Sequence, residues 1–280
     1  MNAARKVRHT VAVVGMSILS VVYVIPIALV LLNSLKAKFA ITSSTAFDAP
    51  DSETFVGLEN YTRGIGKTGF WSAFGYSVFI TVVSVLVIVL GTSMAAWYIA
   101  RVKSRFSTVM YYMFVFSMVV PFQMVMFTMS FVTNRAGLDN PLGICVMYLG
   151  FGAGLSVFIF TGFIRSIPIS LEEAAMIDGA SPRQVFFKVI FPVIRPTAIT
   201  VAILNTMWIW NDYLLPQLTI GGTYNTIPVA VQGILTGTYG DRDMGAMMAV
   251  LIVAIIPIIV FYLILQKHII KGVVAGAVKG

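Results

Sequence analysis

Few residues of this 280-residue chain have the types and spacing that chemistry requires. The segment from Tyr61 to Thr68 reads Y-T-R-G-I-G-K-T and matches the end of a phosphate-binding P-loop, but a tyrosine occupies the place of the first glycine. Two histidines and the single cysteine, Cys145, provide no spacing suited to a metal site or a disulfide framework. Neither G-x-S-x-G nor H-E-x-x-H occurs. We therefore expect a chain that binds no cofactor or metal and is not an enzyme by itself.

The composition is that of an integral membrane protein. Hydrophobic residues make up 58% of the chain and charged residues only 11%, whereas a soluble domain has roughly 25% charged residues. The net charge of +8 comes without a basic run interleaved with aromatic residues, so nucleic-acid binding is not expected. We therefore expect most of the protein surface to face lipid.

Uncharged stretches of about 20 residues predict membrane-spanning helices. The stretch after Arg8 is longer than the apolar region of a signal peptide and predicts a retained first span. The fifth span is short, because only Pro196 to Asn211 lies between Arg195 and Asp212. The predicted spans are 10–34, 73–99, 107–132, 142–164, 196–214 and 244–266.

The distribution of charge sets the orientation. Residues 213–240 are uncharged but contain five Gly, five Thr and two Pro, which indicates a loop and not a seventh span. With six spans and a cytoplasmic N-terminus, thirteen of the nineteen Lys and Arg residues lie in the cytoplasm, as the positive-inside rule requires. We predict one all-α membrane domain, 1–280, with both termini cytoplasmic and a tail at 267–280. Gly91 with Ala95 and Gly150 with Gly154 have the spacing of close helix contacts.

The predicted cytoplasmic loop 165–195 has more local order than a simple connection. Ser170 and Glu173 have the spacing of a capping box for a short helix, which Gly179 is placed to end in a left-handed turn. Ser181, Pro182 and Gln184 repeat the start signal, and an apolar run then continues to Pro192. Two capped helices that meet at a glycine suit docking into a groove on another protein.

The same loop resembles the EAA loop of ABC importer permeases, written E-A-A-x3-G-x9-I-x-L-P. Glu173-Ala174-Ala175, Gly179 and Val189-Ile190-Phe191-Pro192 match it, with Val189 and Phe191 as apolar replacements. The segments 208–213 and 226–228 and the Gly-ended tail from Gly272 narrow the resemblance to carbohydrate-uptake permeases similar to the six-span subunit of the maltose transporter.

The resemblance implies a permease subunit in a multi-pass prokaryotic cell membrane. Its partners would be a second permease, an ABC ATPase dimer that binds ATP and Mg, and an extracellular sugar-binding protein. The first loop helix would insert into a cleft of the ATPase, the tail would reach the ATPase interface, and the loop from Pro216 to Asp243 would reach the binding protein. The residues expected in ATPase coupling are Glu172, Glu173, Ala174, Ala175, Asp178, Gly179, Gly272 and Lys279.

For a hydroxyl-rich solute, aromatic faces and side-chain amides within the bundle are suitable contacts. The candidates for the substrate path are Gln123, Asn205, Trp208, Trp210, Asn211, Asp212 and Tyr213. An interfacial belt is an alternative role for the Trp and Tyr residues. A polyol or glycerol-phosphate importer, an ion-coupled secondary transporter acting alone and a structural scaffold are the alternative functions. The secondary transporter would need ionisable residues within its spans and, usually, internal repeats, neither of which is visible.

Overall fold

A computed structural model describes residues 3–238 and 241–277. In these residues the chain is helical, and extended pairing is limited to one bridge between Lys36 and Phe55. The helices are α1 (Ala3–Ser34), α2 (Lys38–Ser43), α3 (Glu59–Thr68), α4 (Phe70–Arg101), α5 (Arg105–Val119), α6 (Phe122–Arg135), α7 (Pro141–Ile164), α8 (Ser170–Ile177), α9 (Pro182–Gln184), a π-helical segment (Val185–Ile190), α10 (Phe191–Asn211), α11 (Leu214–Thr219), α12 (Ile227–Thr236) and α13 (Met244–Ala277). The predicted all-α class is confirmed.

Five of the helical stretches within the described residues are long and apolar enough to cross a membrane. They are Arg8–Ser34, Phe70–Arg101, Pro141–Ile164, Pro182–Asn211 and Met244–Ile264. The apolar window of the first has no buried residue, as expected of a helix that faces lipid or another chain. The polytopic membrane bundle predicted from composition is therefore confirmed.

The third predicted span, 107–132, is not one straight helix. It is divided between α5 and α6, whose axes are bent by 105° at Pro121. Proline has no N–H to donate, and its ring pushes Val120 out of the helical region, to φ −77° and ψ 112°. The pair counts as a sixth span if it crosses the membrane as a broken helix.

The glycine-rich stretch 213–240 is less irregular than predicted. It contains α11 and α12, and Gly222 lies between them at φ +89°. At about 1.5 Å per residue, the ten residues of α12 extend only about 15 Å, half of the thickness of the hydrocarbon core. The segment is thus partly helical but too short in each helix to be a seventh span.

One compact unit comprises Met1–Trp71 and Ala230–Pro257. The P-loop-like residues form the helix α3 instead of a phosphate-binding loop. Asn60 is fully buried and donates from Nδ2 to the carbonyls of Ser34 and Lys36, each at 2.8 Å. Gly64 contacts α13 so closely that an added Cβ would lie 2.7 Å from the Ala246 carbonyl oxygen. A small residue at this position lets the two helices meet.

The other compact unit comprises Ser72–Val229 and Ile258–Gly280. Its apolar core is centred on α7, where Tyr148, Val157 and Phe160 are fully buried. A Cβ at Gly154 would lie 2.6 Å from the Phe114 carbonyl oxygen of α5. Of the two predicted pairs, the close contact is present at Gly154, whereas a Cβ at Gly91 or Gly150 would meet no atom of the described residues within 4 Å.

Candidate functional site

The first helix of the loop, α8, begins at Ser170, but not through the predicted capping box. Its N-cap is Ile169, which makes no side-chain cap bond, so the N-cap role assigned to Ser170 is wrong. The reason is that the backbone is already helical at Ile169, with φ −65° and ψ −27°. The Leu171 amide donates to the Pro168 carbonyl and the Glu172 amide to the Ile169 carbonyl. These two amides therefore have the partners that a side-chain cap would otherwise supply.

The end of α8 is the left-handed turn that the sequence predicted. Gly179 has φ +84°, a conformation that costs other residues about 1 kcal/mol or more. The Ala180 amide donates to the Ala175 carbonyl and the Gly179 amide to the Met176 carbonyl, each at 3.0 Å. This pair of bonds is the Schellman motif, and it turns the chain sharply after α8.

The second helix of the loop starts as predicted but does not end at Pro192. Ser181 and Gln184 form a reciprocal capping box, with the Ser181 amide donating to Gln184 Oε1 at 2.8 Å. The helix then continues through the π-helical segment Val185–Ile190 directly into α10. Pro192 follows the π-helical segment directly, where the Phe191 amide donates to the Phe186 carbonyl and the bonding pattern changes from i→i−5 to i→i−4. The loop is therefore continuous with the fifth membrane helix.

The outer face of α8 combines apolar side chains with a carboxylate. Ile177 is 86% exposed and Met176 is 51% exposed, and Glu173 and Asp178 are exposed beside them. Ala174 is also exposed, whereas Ala175 is half-buried against the core. An apolar helix face left uncovered by the described residues of its own unit is suited to a groove on a partner protein.

Glu172 points the other way. It is only 3% exposed, and its Oε1 accepts a bond from Arg101 Nε at 2.6 Å. Its Oε2 accepts a bond from Trp97 Nε1 at 2.9 Å. Sequence reasoning missed Arg101 and Trp97. A cation directly after the predicted span 73–99 was the available signal, but nothing in the sequence identifies its partner.

Two candidates for the substrate path, Asp212 and Trp208, both contact Tyr148. The Tyr148 hydroxyl donates to Asp212 Oδ2 at 3.0 Å, and the Trp208 ring packs edge-on against the Tyr148 ring at 5.4 Å. The Leu214 amide also donates to Asp212, at Oδ1. Tyr148 was missed because nothing in the sequence links it to Asp212, sixty-four positions later in the chain.

The other candidates differ in exposure. Asn205 is buried and donates to Ser156 Oγ at 3.2 Å, and Trp210 is buried with its ring 6.0 Å from that of Phe74. Tyr213 is half-buried. Gln123, at the start of α6, and Asn211, at the end of α10, are exposed.

The chain matches the family described as "Binding-protein-dependent transport system inner membrane component" over residues 87–274, about two thirds of its length. It belongs to this family. Its multi-pass inner-membrane character and its role as a transport subunit follow from this membership.

Several relatives of this permease cover nearly all of it. The probable starch degradation products transport system permease AmyC of Thermoanaerobacterium thermosulfurigenes is 36% identical over 94% of both chains. The multiple sugar-binding transport system permease MsmG of Streptococcus mutans is 36% identical over 100% of both. The melibiose/raffinose/stachyose import permease MelC of Bacillus subtilis is 30% identical, also over 100% of both.

The fold of the permease also matches a solved structure. A chain of a bacterial ABC transporter involved in the import of the acidic polysaccharide alginate aligns with a TM-score of 0.75, at 23% identity. The alignment covers 95% of this permease and 98% of that chain. The likeness extends over the whole helical architecture.

The predicted contacts at the C-terminus are only partly described. Gly272 lies within α13, so the helix continues through most of the predicted tail 267–280. Lys279 lies outside the described residues. The roles of both in ATPase coupling stay predictions.

Proposed function

We propose that this permease is one of two membrane subunits of an ATP-driven importer and forms half of the path for a sugar, an oligosaccharide or disaccharide. The observation that carries the proposal is the exposed helix α8, held by a left-handed turn at Gly179, in a chain whose near-full-length relatives are named for sugar transport. Because we expect no nucleotide site in this chain, its energy must come from a partner, and α8 is the element through which that partner supplies it.

The partners follow from this role. A cytoplasmic ABC ATPase dimer binds ATP and Mg and receives the exposed face of α8, with Glu173 facing a basic residue and Ile177 entering an apolar cleft. A second permease completes the path. An extracellular sugar-binding protein delivers the solute, and the loop from Pro216 to Asp243 reaches into that protein.

The exposed candidates suit the sugar path better than the buried ones. Trp208 is 40% exposed and offers an aromatic face, and Asn211 and Gln123 offer exposed amides. Asn205 and Trp210 are committed to contacts within the bundle, so their effect on the path is through its shape.

The first test is purification of the tagged permease from its own host in mild detergent, followed by mass spectrometry. We expect an ABC ATPase and a second permease to be recovered with it, and the complex reconstituted with its binding protein to take up sugar only with ATP. A lone chain that still transports would contradict the proposal and indicate a secondary carrier.

Two substitutions test the role of α8 directly. Gly179→Pro removes the left-handed turn and Glu173→Lys reverses the charge of the docking face, so both should abolish uptake while leaving membrane insertion intact. The control is Glu53→Lys, which makes the same charge change at an exposed position outside the loop. Normal uptake in both loop variants would contradict docking through α8.

A further inference from the structure

The helix α8 is attached to its own unit through one narrow face. Of its eight residues, all within the described part of the chain, Glu172 is buried and Ala175 is half-buried. These two positions are three apart and therefore share a face of the helix. The exposed positions are Ser170, Leu171, Glu173, Ala174, Met176 and Ile177. The position of α8 thus depends on very few side chains.

Both oxygens of the buried Glu172 carboxylate are bonded to the last turns of α4. Arg101 Nε donates at 2.6 Å and Trp97 Nε1 at 2.9 Å. The same guanidinium donates a further bond, 3.1 Å long, to the carbonyl of Ile167, in the segment that leads into α8. Charge-assisted bonds of this kind are short and directional, so they fix the orientation of α8 as well as its distance from α4.

Trp97 extends these contacts to α10, the membrane helix that follows α8 in the chain. Its ring lies 5.5 Å from the ring of Phe186, which is buried in the π-helical segment that continues into α10. One indole therefore contacts the loop helix through its N–H and the beginning of the fifth span through its ring.

We propose that Glu172, Arg101 and Trp97 form a joint that transmits movement of α8 to α4 and to the beginning of α10. Glu172 is then a positioning residue that faces the membrane helices, while Glu173 faces the ATPase. This inference rests on the proposed function, because it concerns how the same loop acts. It assigns different tasks to two adjacent carboxylates that were both predicted to take part in ATPase coupling.

A double substitution can separate this joint from a purely stabilising role of the Arg101–Glu172 ion pair. A buried ion pair is often no more stabilising than apolar residues of similar volume, whereas removing one partner leaves an uncompensated charge. Replacing both partners by methionine, as Arg101→Met with Glu172→Met, should therefore preserve the folded complex and remove only the directional bonds. Glu172→Gln keeps the size and one acceptor oxygen but loses the charge.

The test measures sugar transported per ATP hydrolysed by the complete complex in proteoliposomes with its binding protein. We expect the double methionine variant to assemble and to hydrolyse ATP within about twofold of wild type, with transport per ATP lowered at least tenfold. Transport per ATP by Glu172→Gln should fall between the values of wild type and the double variant. The control, Glu53→Gln, changes an exposed carboxylate and should match wild type.

Three outcomes would overturn the joint. The first is wild-type transport per ATP in the double variant, and the second is a proportional fall of ATP hydrolysis and transport in that variant. The third is failure of both Glu172→Gln and the double variant to assemble, because this would indicate a structural role only. Absence of ATP-dependent uptake by the wild-type complex would instead refute the proposed function.

Discussion

Asp243 is a buried carboxylate in the first unit and lies directly before the N-terminus of α13. It is 3% exposed, and Arg63 Nε and Lys67 Nζ lie 2.7 Å and 3.3 Å from its Oδ2. Its Oδ1 accepts a bond from the Ala246 amide in the first turn of the helix. Burial acts to raise the pKa of Asp243, but the amide bond and the two cations outweigh it and hold the pKa below its ordinary value.

A pH-dependent stability follows for this residue. Since the folded pKa is lowered, the contribution of Asp243 is present above the unfolded pKa of about 3.9 and is lost as the pH falls through the folded pKa. Asp243→Asn should lower stability at pH 7 by about 1.5–3 kcal/mol, because two cations lose their charged partner. The difference from wild type should close progressively as the pH falls below about 4.

Thermal unfolding in detergent, followed by tryptophan fluorescence between pH 3 and pH 7, measures this difference. Asp241→Asn is the control, because the pair of Asp241 with Lys38 is 3.7 Å long and exposed, so it contributes little. A gap between wild type and Asp243→Asn that is unchanged across this pH range would show that the charge of Asp243 is unimportant.

The two carboxylates of α8 show what the sequence can and cannot predict about single residues. The motif begins at Glu173, with Glu172 grouped beside it as a coupling candidate, and its glycine spacing predicts the left-handed turn at Gly179. Neighbouring helix residues point about 100° apart, so only one of the two can face the core. Which one does so depends on Arg101, seventy-one positions earlier in the chain, and local patterns carry no such information.

At the scale of elements, α7 depends on glycine for its contact with α5. A Cβ at Gly154 would lie 2.6 Å from both the Phe114 carbonyl oxygen and Ser117 Oγ, and 2.7 Å from Met118 Cγ. Backbone atoms cannot move aside as the end of a flexible side chain can. Gly154→Ala should therefore separate the two helices and cost about 1–3 kcal/mol.

The matched control lies one helical turn away on the same helix. Gly150 has no atom within 4 Å of an added Cβ, so Gly150→Ala should stabilise by about 0.5–1 kcal/mol through helix propensity. Thermal unfolding of the two variants should thus shift in opposite directions from wild type. Equal shifts would mean that α5 and α7 do not approach closely at Gly154.

The boundaries of the elements were predictable where apolar length and end signals agree. The spans at 73–99, 142–164 and 244–266 all lie within observed helices, and the capping box at Ser181 is present. The break at Pro121 was missed because the span 107–132 was predicted from its lack of charge, which does not report a bend, although the proline itself is a signal for one. The π-helical segment was missed for a similar reason, since one extra residue in a turn leaves no sequence signal of its own.

At the scale of the whole molecule, the bent pair α5 and α6 decides the topology. If the pair crosses the membrane as one broken span, thirteen of nineteen basic residues lie on the cytoplasmic side. If it enters and leaves on the same side, every later segment changes side and only eight basic residues remain there. The positive-inside rule therefore predicts one broken span, with the loop that contains α8 on the cytoplasmic side.

Cysteine labelling tests this topology at the two ends of the bent pair. Lys103 precedes α5 and Asp139 follows α6, and both are exposed. In a Cys145→Ala background, which removes the native cysteine, Asp139→Cys should react with a membrane-impermeant maleimide added to intact cells. Lys103→Cys should react only after the membrane is permeabilised. Labelling of both from the same side would make the pair re-entrant, put the two termini on opposite sides and remove α8 from the reach of a cytoplasmic partner.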